Sequence, residues 1–324
     1  MVTMYPRKLT DRISLIDGFD MGMSERTGTY VIDEEQLTLI ETGPSPSIPH
    51  IVEGLEQLGH SAQDVAYIIV THIHLDHAGG AGLLLKQCPN AKVVVHPKGA
   101  RHLSNPSRLV AGAKAVYGER FSPLFDPVVP IDAERLLVKG EGDSLQIGPG
   151  CMLEFWDSPG HANHHFAIID PISNGIFSGD TAGILYEQLA KEQILFSLPS
   201  TSPNQFDPDN MRQSANRMKA AKFSYAFYGH FGMTDKPEQA FSQSLEWLDI
   251  FMEQAGISFS RKESHIDLAA RLKERVSLVL AEKGIPENHE VYMLIELDLM
   301  VSAMGLLDYL NKNSHKKRTC KEIG

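Results

Sequence analysis

Apolar residues in the first two-thirds of the chain come in short runs bounded by turn residues, the pattern of strands rather than long helices. Ile13-Ser14-Leu15-Ile16 is one such run. Residues 29–32 and 37–40 are two more, and Asp33-Glu34-Glu35-Gln36 between them predicts a hairpin. Over residues 49–58 the period changes: Ile51, Leu55 and Leu58 share one helical face. A strand over 66–70, a helix over 83–87 and a strand over 92–95 then predict a layered α/β domain. Residues 152–156, 166–170 and 176–178 read as strands, the last two forming a hairpin across Pro171-Ile172-Ser173-Asn174-Gly175. Residues 102–130 mix glycine, proline and aromatics without a period, and are expected to form an irregular lid or binding loop.

After Gly232 the pattern becomes helical, over residues 237–254, 266–283 and 288–310. Leu268, Leu272, Val276 and Leu280 recur every four residues, with Gly284 and Pro286 as the stop; Tyr292, Ile295, Leu299 and Leu306 continue the theme. The expected organisation is a domain over 1–236 followed by a helical region over 237–324. The basic tail, 312–318, reads as a solvated frayed end. The face of residues 294–310 offers a route to a homodimer through the C-terminal helices.

Composition narrows the function. Asp and Glu number 41 against 30 Lys and Arg, so no nucleic-acid partner is expected, because phosphate binding needs a positive footprint. Three scattered cysteines, Cys88, Cys151 and Cys320, form no CxxC and imply neither a disulfide framework nor a thiolate metal site. Neither a leader peptide nor a membrane-spanning run is read, so the expectation is a cytoplasmic protein acting on a small-molecule substrate.

The candidate chemistry is concentrated in Thr71-His72-Ile73-His74-Leu75-Asp76-His77, fed by the apolar run before it and closed by Ala78-Gly79-Gly80. Imidazoles and a carboxylate are the ligands a borderline divalent cation prefers, and burying four such groups unpaired is unfavourable. Further candidates sit in glycine-flanked turns after strands: Ser158-Pro159-Gly160-His161, Ser178-Gly179-Asp180-Thr181 and Tyr228-Gly229-His230-Phe231-Gly232. His164 and His165 read as packed or solvent-facing. Tyr117, Phe121, Phe125, Tyr186 and Phe196 read as core before pocket wall.

Taken together, these motifs resemble the metallo-β-lactamase fold superfamily over about residues 13–232, and within it the glyoxalase II-like hydrolases, the stretch 200–217 included. The resemblance implies an α/β fold, an αββα sandwich with a C-terminal helical extension. It implies that His72, His74 and His161 bind one metal, that Asp76, His77 and His230 bind a second, and that Asp180 bridges both. Glu41, in Glu41-Thr42-Gly43, stands where the family more often has aspartate, and its implied role is to orient ligands from behind. Two divalent metal ions are implied, Zn2+ first, with Fe and Mn open. The implied activity is that of a dinuclear metal-dependent hydrolase: a metal-bridging hydroxide cleaves an ester, thioester or lactone, with Asp76 or a metal-bound water as the proton shuttle. Glutathione-reading basic residues are not found at matching positions. The alternatives are a single-iron persulfide dioxygenase-like oxidoreductase and a phosphodiesterase. No Gly-x-Ser-x-Gly elbow is present, and none is needed.

Overall fold

The computed structural model describes residues 6–322, with side chains described through residue 314. The chain divides into two compact units. The first comprises the chain through Asp157 together with His164–Gly179 and Phe223–Pro237; the second comprises Ser158–Asn163, Asp180–Lys222 and the chain from Glu238 onward.

The first unit holds two sheets. One has seven strands in sequence order: β1 (Arg7–Lys8), β2 (Ile13–Asp17), β3 (Gly28–Ile32), β4 (Leu37–Ile40), β5 (Val65–Ile69), β6 (Lys92–Val95) and β7 (Leu136–Val138). Pairing is antiparallel up to β4 and parallel from β4 to β7. The other sheet begins with β8 (Ser144–Gly148), β9 (Cys151–Asp157), β10 (Phe166–Asp170) and β11 (Gly175–Gly179). The short pair β12 (Ile184–Leu185) and β13 (Ser197–Leu198) belongs to the second unit; β14 (Tyr225–Tyr228) and β15 (Met233–Thr234) then complete the sheet in the order β15-β14-β11-β10-β9-β8.

Strand alternation sorts the apolar side chains into two cores. Ile13, Leu15, Tyr30, Ile32, Ile40, Ile69 and Val94 point between the sheets, where they meet Leu153, Phe155, Phe166, Phe177 and Phe227. Their neighbours Ile16, Val31, Leu39, Ile68, Val93 and Val95 point the other way, onto Ile48, Ile51 and Leu55 of the helix Ile48–Gln57 and onto Leu84 of the helix Ala81–Leu85. The layers of this unit are helix, sheet and sheet. Cys88 and Cys151 are buried, and burial pushes each thiol up to about 11, which leaves them as packing groups.

The strands and both hairpins expected from sequence are present. Residues 102–130 differ from expectation. They are mostly helical, in Pro97–Ser104, Ser107–Tyr117 and Phe121–Phe125. Pro106 is the N-cap of the second of these helices and Pro123 lies within the third, positions that proline tolerates but that read as breaks in the sequence. Of the aromatics there and downstream, Phe121, Phe125, Tyr186 and Phe196 are core.

In the second unit, the helix Pro208–Ala220 starts at Asp207, whose carboxylate accepts from Asp209 and Asn210. Three longer helices follow: Pro237–Ser260, His265–Glu282 and Val291–Glu322. Leu268, Leu272, Val276 and Leu280 are buried, as their spacing predicts. Ser264 and Asp267 form a reciprocal cap at the start of the middle helix. Of the basic tail, Lys312 binds Asp308 at 2.6 Å; its side chains from residue 315, like Cys320, lie outside the described residues.

Candidate metal centre

The parallel strands β4 and β5 lie in register, Ile40 opposite Ile69, so the residues that follow them leave the sheet side by side. That places Glu41 next to the segment 70–77. Glu41 has φ 66, the left-handed region, an unusual conformation for a residue with a side chain. His72 and His77 are fully buried, and Asp76 keeps 19% of its side chain exposed. His77 lies in the single helical turn Leu75–Ala78, for which His74 is the N-cap.

Glu41 organises this cluster from behind. One carboxylate oxygen accepts a short hydrogen bond from the Thr71 hydroxyl and lies 3.4 Å from His77 Nδ1; the other accepts from the Thr71 backbone N–H at 3.4 Å. The Thr71 hydroxyl, its proton given to Glu41, accepts from His72 Nδ1 at 3.1 Å. With Nδ1 of His72 so engaged, its lone pair sits on Nε2, which faces His74 Nδ1 at 3.0 Å. Two imidazole nitrogens turned towards one another at that spacing suit a shared cation.

The other sheet supplies His230. β11 and β14 are parallel with Gly179 opposite Tyr228, and the turn after β14 carries His230. This turn is pinned by Tyr30, whose hydroxyl lies 2.7 Å from both the Tyr228 and Gly232 carbonyl oxygens. The Tyr30 ring packs edge-on to Phe177 and Phe227. Tyr30→Phe keeps that packing and removes the donor from two buried carbonyls. It should cost about 1–3 kcal/mol, read as a lower denaturation midpoint; an unchanged midpoint would show that the turn holds itself.

Among the described residues of this unit, two groups of three offer ligand atoms within 4.8 Å of one another: Asp76, His77 and His230, and Glu41, His72 and His77. The His77 and His230 ring centroids are 5.5 Å apart, and those of His72 and His77 4.2 Å. His164 and His165 are packed: the His164 ring lies parallel to His72 with centroids 6.3 Å apart, and His165 is 5.1 Å from His72. A Cβ on Gly179 would stand 2.3 Å from His165 Nε2, so only glycine fits there.

Two charged groups passed over in the sequence also belong to this neighbourhood. Asp20 and Arg26 form a buried ion pair, Oδ2 to Nε 2.9 Å. Burial pushes the Asp20 carboxyl up; Arg26 pulls it down, the Asp76 charge pushes it further up, and His230 pulls it down. Their only trace in the sequence is the turn-rich stretch after β2. Asp17 ties that stretch together by accepting from the N–H groups of Phe19 and Glu25, each at 2.9 Å.

Burial also pushes the Asp17 carboxyl up, from 3.8 to about 6, against those two hydrogen bonds. Between these values the folded chain holds a proton that the unfolded chain has released. Asp17 therefore costs stability progressively as pH rises from about 4 to 6, by about 3 kcal/mol at most. Denaturation of the protein and of Asp17→Asn at pH 4 and pH 7 should show the difference between them moving in the variant's favour at the higher pH. A pH-independent difference would contradict the shift.

The second unit carries the remaining two expected residues. His161 and Asp180 are both 2% exposed, and His161 Nε2 lies 3.7 Å from Asp180 Oδ2. His161 Nδ1 donates to the Ser200 carbonyl at 2.9 Å, which leaves the lone pair on Nε2. The Ser200 hydroxyl donates to Asp180 Oδ2 at 3.2 Å. Gly160 before His161 has φ 138, and a Cβ there would stand 2.3 Å from Met211 Cα. The sequence marks Ser200 only as the start of the stretch 200–217 and gives no sign of its bonds to His161 and Asp180.

With this fold comes a class of protein, the metal-dependent hydrolases. The family model for the metallo-beta-lactamase superfamily matches residues 27–230, and the chain belongs to that superfamily. A metallo-beta-lactamase fold-containing protein of Sulfurisphaera tokodaii is 25% identical over 259 residues, 77% of this chain and 92% of that protein. The crystal structure of a metallo-beta-lactamase family protein of Thermus thermophilus superposes with a TM-score of 0.65 at 17% identity, covering 95% of each chain. A hydroxyacylglutathione hydrolase of Legionella pneumophila is 29% identical over 117 residues, 35% of this chain and 32% of that enzyme. Among the described residues, no helix is long and apolar enough to cross a membrane.

Proposed function

We propose that the chain is a dinuclear hydrolase that cleaves an ester, thioester or lactone in a small molecule, with residues 1–236 as its catalytic domain. The observation that carries this reading is the convergence of Asp76, His77 and His230, from two different sheets, with ligand atoms within 4.8 Å of one another. All three are nitrogen or oxygen ligands of the kind zinc takes. In this reading His72, His74 and His161 hold one cation, Asp76, His77 and His230 hold the other, and Asp180 is shared. The hydrogen bonds of His72 to Thr71 and of His161 to Ser200 support it, because each fixes the tautomer that turns Nε2 towards a cation.

When bound, two divalent cations supply Lewis acidity and lower the pKa of water towards neutrality. The chain's own residues do the rest. Glu41 holds the imidazoles at a fixed angle, through Thr71 for His72 and directly for His77. Asp76, the more exposed carboxylate, takes the proton released by the attacking water and passes it to the leaving group. The partial likeness to a hydroxyacylglutathione hydrolase favours thioesters as the first substrates to assay. The test joins elemental analysis of the purified protein to a panel of thioesters, lactones and phosphodiesters. About two zinc per chain and chelator-sensitive hydrolysis of a thioester or lactone are expected. A chain that hydrolyses them with no metal, or one that carries a single iron and consumes oxygen with a persulfide, would overturn the reading.

A further inference from the structure

The helix Val291–Glu322 presents one face to the loop that follows β13, and the contacts run along the loop residue by residue. The Thr201 hydroxyl donates to the Ser302 carbonyl at 2.9 Å, and the Thr201 N–H donates to the Ser302 hydroxyl at 3.4 Å. One turn further on, Gly305 meets the same loop so closely that a Cβ would stand 2.3 Å from the Thr201 carbonyl oxygen and 2.7 Å from the Ser202 carbonyl carbon. The next turn supplies Asp308, which accepts from the Asn204 N–H at 3.1 Å, and Lys312 donates to the Asn204 carbonyl at 3.0 Å. Ser302, Gly305, Asp308 and Lys312 recur at three- and four-residue spacing, so they form one stripe of the helix.

The gripped loop is the one that orients two of the candidate ligands. Its Ser200 accepts from His161 Nδ1 through its carbonyl and donates to Asp180 through its hydroxyl. Ser202 adds a third tie, donating to the His161 carbonyl at 3.3 Å. Thr201, between them, is the residue bonded to Ser302, and all of these groups are at least nine-tenths buried. A displacement of Thr201 therefore moves the acceptor of His161 and the donor to Asp180 together.

We infer that Thr201, Ser302 and Gly305 are positioning residues, through which the C-terminal helix sets His161 and Asp180 at the angle a divalent cation requires. The C-terminal helix is then part of the metal centre's support and more than an appended interaction module. This rests on the reading of His161 and Asp180 as ligands.

Zinc binding to the full chain, stripped of metal and titrated against a chromophoric chelator, tests it. Thr201→Val keeps the volume and removes the hydroxyl; it should weaken the zinc equivalent that involves His161 by about tenfold or more, the range expected for partners behind a ligand. Thr201→Ser should restore the affinity. Gly305→Ala, which forces loop and helix apart, should weaken the same equivalent further while the helical circular dichroism stays. A role in packing alone would lower the melting temperature of Thr201→Val and leave zinc affinity unchanged, and that result overturns the inference. If the unsubstituted chain bound no zinc at all, the proposed function would fail instead, so the two failures are distinguishable.

Discussion

His77→Ala should lower kcat/KM for the hydrolysed substrate by at least ~10³-fold, because a catalytic cation supplies several kcal/mol of transition-state stabilisation and each 1.36 kcal/mol is a factor of ten. His77 is common to the two groups of the first unit whose ligand-type atoms lie within 4.8 Å of one another, with Asp76 and His230 in one and His72 and the orienting Glu41 in the other. The helical turn that carries it ends at Ala78, and its backbone carbonyl accepts from the Thr42 hydroxyl, which the substitution leaves in place. Loss of activity should therefore come with loss of about one zinc equivalent and an intact fold. Steady-state kinetics beside elemental analysis decide the matter. Activity within tenfold of the original, at unchanged zinc content, would remove His77 from the centre.

Glu41→Gln should weaken zinc binding by about 10–100-fold without touching any proposed ligand, the usual cost of disturbing the groups behind a metal centre. The two side chains have nearly the same shape, but an amide must turn an NH2 group towards either the Thr71 backbone N–H or the Thr71 hydroxyl and His77 Nδ1. All three now meet a carboxylate oxygen. Two donors would face each other in a site only 1% exposed, where water cannot relieve them. The original and the variant, titrated with zinc against the same chelator, give the answer directly; equal affinities would mean that Glu41 merely fills space.

Strands announce themselves in this sequence where one face is buried on each side of the sheet. In β3, Tyr30 and Ile32 serve one core and Val31 the other, so these three successive residues are all β-branched or aromatic. The stretch 102–130 hid its helices for the opposite reason. In Ser107–Tyr117 no residue is fully buried, so no strong apolar period could be read, and Pro106 and Pro123 suggested breaks. The short strand β7 has two half-buried residues and one exposed, again too little pattern to see.

The candidate site divides in the same way. Four ligand-type residues within the six positions 72–77 are visible because metal chemistry needs them close in space and this chain also places them close in sequence. The convergence of His230 on Asp76 and His77 is a tertiary event, suggested only by glycines around a histidine after an apolar run. Asp20, Arg26 and Ser200 act through contacts that no local period encodes. An aspartate in a loop becomes half of a buried ion pair only once the surrounding strands are assembled.

The second unit is stitched from three stretches of chain, and the largest is the last to be made. A polypeptide emerging from the ribosome has every strand of both sheets in hand once residue 237 is out, and the first unit then has all its parts. At that point Ser302 and Gly305, which hold Thr201 in the loop bonded to His161 and Asp180, have not been made. A stop codon arising between residues 237 and 302 thus leaves every strand of both sheets encoded and removes the residues that hold Thr201. The final helix acts as a seal on synthesis: the loop that bonds His161 and Asp180 is gripped only once translation has passed residue 305.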